Sequence, residues 1–307
     1  MRIICSREEY TETRRAAVAV GYFDGMHIGH AELIRVMKRE AEANGLAAVL
    51  LTFDMSALRA GGKGTKDLIT RDQKLRLACE SGVDYYVELR FDEVRDLSPE
   101  LFSAEILGTP FLNAAVVCSG TDFRFGRNRA GSVSDLEILG TQIGFRSIAV
   151  EEVRVDGIAV STSLIKQKIR DGKITEANRM LGYSYQLEGT VIHGNHLAHG
   201  MGFPTANITL PEEIVSPKRG VYLSQTVIGE RKYRSITNIG VRPTVTDDVE
   251  PTAETHILDF DGDLYGQKIL LLLHEFIRPE QRFASAEELV GTVKENIRYA
   301  RTAQLPD

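Results

Sequence analysis

Two histidines, His27 and His30, close the segment Gly21-Tyr22-Phe23-Asp24-Gly25-Met26-His27-Ile28-Gly29-His30. The segment follows an apolar run, Ala16 to Val20, that reads as a buried strand. It precedes a stretch with helical spacing of Ile34, Met37 and Ala41, closed by Gly45 at a C-cap position. The first N–H groups of a helix are free and its dipole favours negative charge, so such a turn suits a phosphate. Imidazole N–H groups beside it can donate to phosphate oxygens. Gly25 and Gly29 let the backbone turn tightly and approach a ligand. A turn with two solvated histidines is the plain alternative, and the ten-residue arrangement argues against it.

Three further groupings carry chemistry. In Ser119-Gly120-Thr121-Asp122-Phe123-Arg124-Phe125-Gly126, Asp122 can accept from ribose or ring N–H groups, and Arg124 and Arg127 can reach phosphate. Ser161, Thr162 and Ser163 open a helix with Lys166 one turn on, which makes a second anion site or a plain N-cap. Thr205 and Asn207, two residues apart on an extended segment, point the same way and with a backbone carbonyl can hold a hydrated Mg2+. Glu254 alone reads as a solvated strand carboxylate. His193, His196 and His199 lie in a Gly-bearing loop with no Cys or carboxylate beside them, which argues little for a metal.

The elements that must position these groups differ between the two halves. Residues 1–183 alternate apolar strands (Ala17–Val20, Ala47–Phe53, Tyr85–Leu89, Ala114–Cys118, Ser147–Val150) with helical stretches, which predicts a parallel, doubly wound α/β sheet. Ligands of such folds sit outside the carboxyl ends of the strands, where the Gly21–His30 turn lies. From 184 to 307 the pattern becomes strands and turns: Gly220–Val227 with Tyr233–Ile239, then Thr255–Phe260 with Lys268–Phe276 around Asp261-Gly262 as a hairpin. Ser285 with Glu287 and Glu288 starts a last helix. A small antiparallel β-barrel with a C-terminal helix follows, the boundary falling near Gly182-Tyr183-Ser184.

Hydrophobic content of 43% and charged content of 26% suit an ordinary soluble domain pair. Net charge is −6, and residues 184–307 carry 12 basic against 17 acidic side chains. Neither half has the basic excess that nucleic-acid binding needs. No apolar run is long enough for a membrane span, and the polar start predicts no signal peptide. Three scattered cysteines without metal spacing point to a reducing cytoplasm, with Cys79 and Cys118 read as buried thiols. The oligomeric state stays open.

The first motif resembles the nucleotidyltransferases of the HxGH class, in the F-D-G-x-H form of prokaryotic FAD synthetases. Ser119–Gly126 resembles their G-x-D-F-x-F-G signature. Gly202-Phe203-Pro204-Thr205-Ala206-Asn207 resembles the G-F-P-T-A-N of riboflavin kinases, and the likeness continues through Thr237–Thr244, Glu254–Phe260, Leu264-Tyr265-Gly266 and Arg278–Phe283. Together they resemble bifunctional riboflavin kinase/FAD synthetases over almost the whole chain. The resemblance implies a Rossmann-like adenylyltransferase at 1–183 and a riboflavin kinase barrel at 184–307. It implies riboflavin, FMN and ATP as ligands, Mg2+ with the ATP, and no nucleic acid or membrane partner. Glu254 is then the base for the riboflavin 5′-hydroxyl, and His27 and His30 stabilise charge on the reacting phosphates. Gly21, Phe23, Asp24, Gly25, Gly29, Ser161, Thr162, Ser163, Lys166, His199 and Gly202 are implied at nucleotide and phosphate. Asp122, Phe123 and Arg278 are implied at the flavin, and Thr205 and Asn207 at the metal.

The chain departs from that family at four places. Ser163 stands for Thr, Lys166 for an Arg that would grip phosphate bidentately, and His199 for an Arg over the ATP. Phe53-Asp54-Met55-Ser56-Ala57 stands where F-x-P-H-P is usual. These departures keep two other readings open: a riboflavin kinase with a degenerate or regulatory first domain, and a non-catalytic flavin or nucleotide sensor.

Overall fold

The computed structural model describes residues 1–60, 65–193, 203–243 and 249–305. The chain clusters into two compact units, Met1–Ser161 and Thr162–Asp307.

The first unit is built on a six-stranded parallel sheet. Its strands are β1 (Arg2–Ile4), β2 (Ala16–Val20), β3 (Ala47–Asp54), β4 (Tyr85–Arg90), β5 (Ala114–Gly120) and β6 (Arg146–Val150), in the order β1-β4-β3-β2-β5-β6. A two-stranded ribbon of β7 (Arg154–Val155) and β8 (Ile158–Ala159) follows. β2 and the first six residues of β3 are buried on both faces, as the unbroken apolar runs require of a covered parallel sheet. Each fully buried side chain such as Leu50 or Leu51 contributes about 1.5–3 kcal/mol by leaving water. The helices are α1 (Ile28–Asn44), α2 (Ser56–Ala60), α3 (Arg71–Glu80), α4 (Phe91–Val94), α5 (Pro99–Phe102) and α6 (Val133–Ile143). Gly45 ends α1 in the left-handed conformation at φ 63°, as its position predicts.

In the second unit α7 (Thr162–Arg170) and α8 (Ile174–Leu181) precede a closed six-stranded barrel, and α9 (Ala286–Thr302) follows it. α8 has no cap signal in the sequence, its N-cap Lys173 making no side-chain bond. The helix is held instead by the barrel. Asn178 donates to the Leu273 carbonyl and accepts from the Tyr185 amide, both at 2.8 Å, and the Thr175 hydroxyl donates to the His274 carbonyl at 3.1 Å. The barrel strands are β9 (Tyr185–Ile192), β10 (Ala206–Thr209), β11 (Gly220–Ile228), β12 (Arg231–Pro243), β13 (Val249–Ile257) and β14 (Lys268–Arg278), closed in the order β10-β13-β12-β11-β14-β9.

Two expectations are corrected. β11 and β12 form the expected hairpin, but the strands flanking Asp261-Gly262 do not pair with each other. β13 lies between β10 and β12, whereas β14 lies between β11 and β9. The turn signal at Asp261-Gly262 therefore belongs to a crossing loop. Cys79 is exposed on α3 and only Cys118 is buried, because Cys79 lies on the solvent side of its helix.

The barrel interior is lined by hydroxyls as well as by Tyr185, Tyr222, Leu271 and Leu273. Ser224 bonds Ser235 and Thr237, each at 2.8 Å, Thr226 donates to Ser235 at 3.0 Å, and Thr237 bonds Thr255. All five are fully buried. Removing one partner strands its neighbours in a fully buried interior, so Thr237→Val is expected to cost about 2–3 kcal/mol in urea unfolding, whereas Thr237→Ser costs under about 1 kcal/mol.

Candidate functional site

From β2 the chain moves outward through β3 to β4, then returns to place β5 on the other side of β2. The carboxyl ends of β2 and β5 thus mark the point where strand order reverses, and a crevice opens there in folds of this kind. Gly21–His30 leaves the end of β2, and Asp122 and Phe123 leave the end of β5. Strand order therefore brings together two motifs that lie about ninety residues apart in sequence.

The turn after β2 is strained backbone. Phe23, Gly25 and Met26 have φ of 54°, 81° and 41°, of which only the glycine is at ease. Such strain persists when the surroundings dictate it, and here they do. Asp24, almost fully buried, accepts the Leu68 amide at 2.7 Å. The Tyr22 carbonyl accepts from the Thr52 hydroxyl at 3.0 Å and from the Lys74 ammonium at 3.1 Å. His27 is the N-cap of α1, its Nδ1 accepting the His30 amide at 3.4 Å. The two imidazoles stack at 3.7 Å and 16°, and Phe23 leans on His30 at 5.2 Å. A Cβ on Gly29 would stand 3.2 Å from the His27 ring, so the glycine between the histidines lets the stack form. Gly21 likewise lies close under the Phe23 ring, 3.3 Å from where its own Cβ would be.

Burial lowers the His27 pKa from the usual 6.5 to about 4. His30 is pushed well below its usual range by burial first, then by the charges of His27 and Lys74. Both rings are therefore neutral near pH 7, each with one N–H to give. The His30 Nδ1 is buried with no hydrogen-bond partner among the described residues. An anion settling here would find unspent donors.

Lys74 escaped sequence reasoning. The residue is only 6% exposed, and its ammonium sits 4.3 Å over the Tyr22 ring. Asp67, which accepts the Tyr22 hydroxyl at 2.8 Å, also escaped. The only sequence signal was the capped start of α3 at Thr70. Asp122 is exposed at the crevice, its carboxylate 3.1 Å from a Cβ placed on Gly120, while Phe123 stacks on Phe125 at 5.7 Å and packs against the core. Ser161 and Ser163 are exposed and Thr162 is half-buried at the start of α7, with Lys166 buried one turn on. At the departure after Phe53, Asp54 accepts from the amide and the hydroxyl of Ser56, each at 2.8 Å, and so closes a turn of its own before α2.

In the barrel unit a carboxylate stands among amides. Antiparallel register sets Glu254 on β13 directly between Asn207 on β10 and Asn238 on β12, all on the outer face. Thr205, two residues before Asn207, donates its hydroxyl to Glu254 Oε1 at 2.8 Å. His256 shares a hydrogen bond of 2.9 Å with the Pro204 carbonyl through Nδ1, and its ring meets Phe203 edge-on at 5.8 Å. These contacts fix the segment that carries Thr205. Glu254 and His256 open onto a cavity of about 280 Å3 roofed by α9, with Arg278 and Asn296 in its wall. Burial lowers the Arg278 pKa; its Nε is buried without a partner among the described residues, and its guanidinium lies 5.8 Å over Phe283. A second cavity of about 410 Å3, beside the loop Asp261–Tyr265, shares Thr205 with the first. In the sequence Asn238 and His256 stand out only as parts of the runs Thr237–Thr244 and Glu254–Phe260. Gly202, His196, His199 and Thr244 lie outside the described residues, and among the described residues no group of His, Cys, Asp or Glu is placed to hold a metal.

A strand-to-helix turn with two stacked histidines at a sheet's switch point, and a barrel carboxylate facing a cavity, suit a two-unit transferase. The FAD synthetase family model matches residues 9–164 and the riboflavin kinase model matches residues 181–304. Bifunctional riboflavin kinase/FMN adenylyltransferases resemble the chain throughout: that of Escherichia coli K12 is 34% identical, covering 92% of this chain and 91% of its own. That of Listeria monocytogenes is 32% identical (98% and 96%), and that of Bacillus subtilis 32% (94% and 93%). A Streptococcus pneumoniae crystal structure titled as a macrolide-efflux protein superposes with a TM-score of 0.89 at 28% identity, covering 99% of each chain. The chain belongs to the family of bifunctional riboflavin kinase/FMN adenylyltransferases. No described helix is long and apolar enough to cross a membrane.

The neutral histidines have a measurable cost. The folded His27 takes a proton only below about pH 4, the unfolded one already below 6.5. In that window the unfolded chain binds more protons, so stability rises with pH and is lost as pH falls. His27 accounts for about 3 kcal/mol of that loss. Urea unfolding at a series of pH values should show a steeper decline from pH 6.5 to 4 in the parent than in His27→Asn.

Proposed function

We propose that the barrel unit phosphorylates riboflavin to FMN with ATP and that the sheet unit adenylylates FMN to FAD, releasing pyrophosphate. The observation that carries the kinase half is Glu254, oriented by the Thr205 hydroxyl at 2.8 Å and facing a cavity roofed by the more apolar face of α9. The flavin enters that cavity, and the nucleotide enters the one beside Asp261–Tyr265. Thr205, shared by both cavities, lies where the two substrates meet. The riboflavin 5′-hydroxyl gives its proton to Glu254 as its oxygen bonds the γ-phosphorus, and the bond from that phosphorus to the β-phosphate oxygen breaks. Arg278, whose Nε lacks a partner among the described residues, supplies a donor to the ring.

Thr205 and Asn207 offer an oxygen set on one face that fits Mg2+. When bound, the metal neutralises charge on the ATP phosphates. Gly202 and His199 are assigned to the same nucleotide from the resemblance.

In the sheet unit the FMN phosphate oxygen attacks the α-phosphorus and pyrophosphate leaves. His27 and His30 act as neutral donors to the phosphates, with Gly25 and Gly29 giving the backbone access; neither ring is a nucleophile. Gly21, Phe23 and Asp24 shape the turn; Ser161, and Thr162, Ser163 and Lys166 at the start of α7, are assigned to phosphate from the resemblance alone. Asp122 and Phe123 border the flavin. Three free cysteines fit a cytoplasmic setting.

Incubation with riboflavin, ATP and Mg2+, followed by separation of the flavins, is expected to yield FMN and then FAD. Absence of both overturns this reading. Glu254→Gln should lower FMN formation by about 100-fold or more while leaving nucleotide binding intact, which a sensor without turnover could not register. The self-closed Asp54–Ser56 turn favours one rival, a kinase with a weakened first unit. FMN supplied directly and returned unchanged would select it.

A further inference from the structure

The face of α9 that roofs the 280 Å3 cavity carries an anomaly. Leu289, Val293, Asn296 and Ala300 follow the four-, three- and four-residue steps of one helical stripe, the stripe laid against the barrel. Three of the four are apolar. Asn296 is only 8% exposed, lines the cavity, and has no side-chain hydrogen bond to any described residue. Its amide faces the cavity, and a leucine here would simply continue the apolar stripe.

A second group in the same wall is also unspent. Arg278 Nε is buried and unpartnered among the described residues. The cavity is otherwise apolar where it meets the helix, through Leu289, Val293 and Ile297, and on the barrel through Val221 and Ile236. Such a site suits a flat apolar body with one polar edge. An asparagine amide offers a donor and an acceptor side by side, the complement of a C(=O)–N–H unit.

We propose that Asn296 is a specificity-determining residue of the kinase, reading the imide edge of the flavin ring: Nδ2 donates to a ring carbonyl and Oδ1 accepts from the ring N3–H. This deepens the riboflavin kinase reading of the same cavity and rests on it. The flavin pairs an amide that faces the cavity and that no described residue pairs in the free protein. A ring lacking the N–H leaves it unpaired still, and such sites reject the analogue strongly.

The test uses the full chain and Asn296→Leu, with riboflavin and its N3-methyl derivative as substrates at saturating Mg2+ and ATP. For riboflavin, Asn296→Leu should raise KM about 10–100-fold and leave kcat within about twofold. The parent should disfavour the methylated flavin by a similar factor, and the variant should treat the two alike. The melting temperature of the unliganded variant should equal or exceed the parent's, because the amide has no partner to lose; a merely structural asparagine would lower it. An unchanged KM with an unchanged preference for riboflavin overturns the proposal, and so does a lower melting temperature with kcat and KM falling together. Should the parent form no FMN, the kinase reading fails. Quenching of riboflavin fluorescence on binding, which needs no turnover, then decides the role of Asn296 by the same comparison of the two flavins.

Discussion

Strand register is the constraint on which the barrel unit depends. Side chains alternate faces along a strand, so a slip of one residue between β10 and β13 would send Glu254 into the interior and bring Thr255 out. The two faces of β13 make opposite demands. Thr255 and Ala253 fit a closed interior, while Glu254 and His256 need an open cavity. Two neighbours read that register at once, Asn207 on one side and Asn238 on the other. The Thr205 hydroxyl then fixes a carboxylate that the strands have already placed. Interior packing and exterior chemistry are specified by one alternation.

The sheet unit solves a different problem, that of holding an uncharged donor pair in a strained turn. Phe23 and Met26 adopt backbone angles that side chains resist, and the cost is offset in part by bonds from β3 and α3 to the Tyr22 carbonyl. Lys74 serves twice, as donor to the Tyr22 carbonyl and as the buried charge that helps keep His30 unprotonated. Neutral rings give up electrostatic attraction for the free phosphate in exchange for fixed geometry. In a dry crevice preorganised dipoles of this kind are worth more than in water.

Much of this was legible in the sequence, for physical reasons. Unbroken apolar runs can only be covered parallel strands, and the glycine spacing around His27 and His30 marked a strand-to-helix turn. What escaped was non-local. Lys74 lies 44 residues from His30, and nothing in its own surroundings tells a buried lysine from a surface one. The Asp261-Gly262 signal is local turn chemistry, whereas pairing is decided by which strands can close a barrel, and closure separated β13 from β14. α8 has too little cap and too few residues to announce itself and exists through its bonds to β9 and β14. Asn296 is silent because an asparagine in a helix is ordinary until its stripe is known to face a cavity.

The buried hydroxyls of the barrel have a direction. Thr255 gives its one proton to the Ile236 carbonyl at 3.4 Å, so Thr237 is left to donate to Thr255, Ser224 to Thr237, Ser235 to Ser224 and Thr226 to Ser235. Each hydroxyl has one proton to give, and each spends it on the next. The series therefore runs one way, like a row of compass needles pinned at one end by a peptide oxygen, and no member can turn without leaving a proton facing a proton. An interior that looks fluid, being made of small rotatable groups, is locked into a single polarity by counting protons.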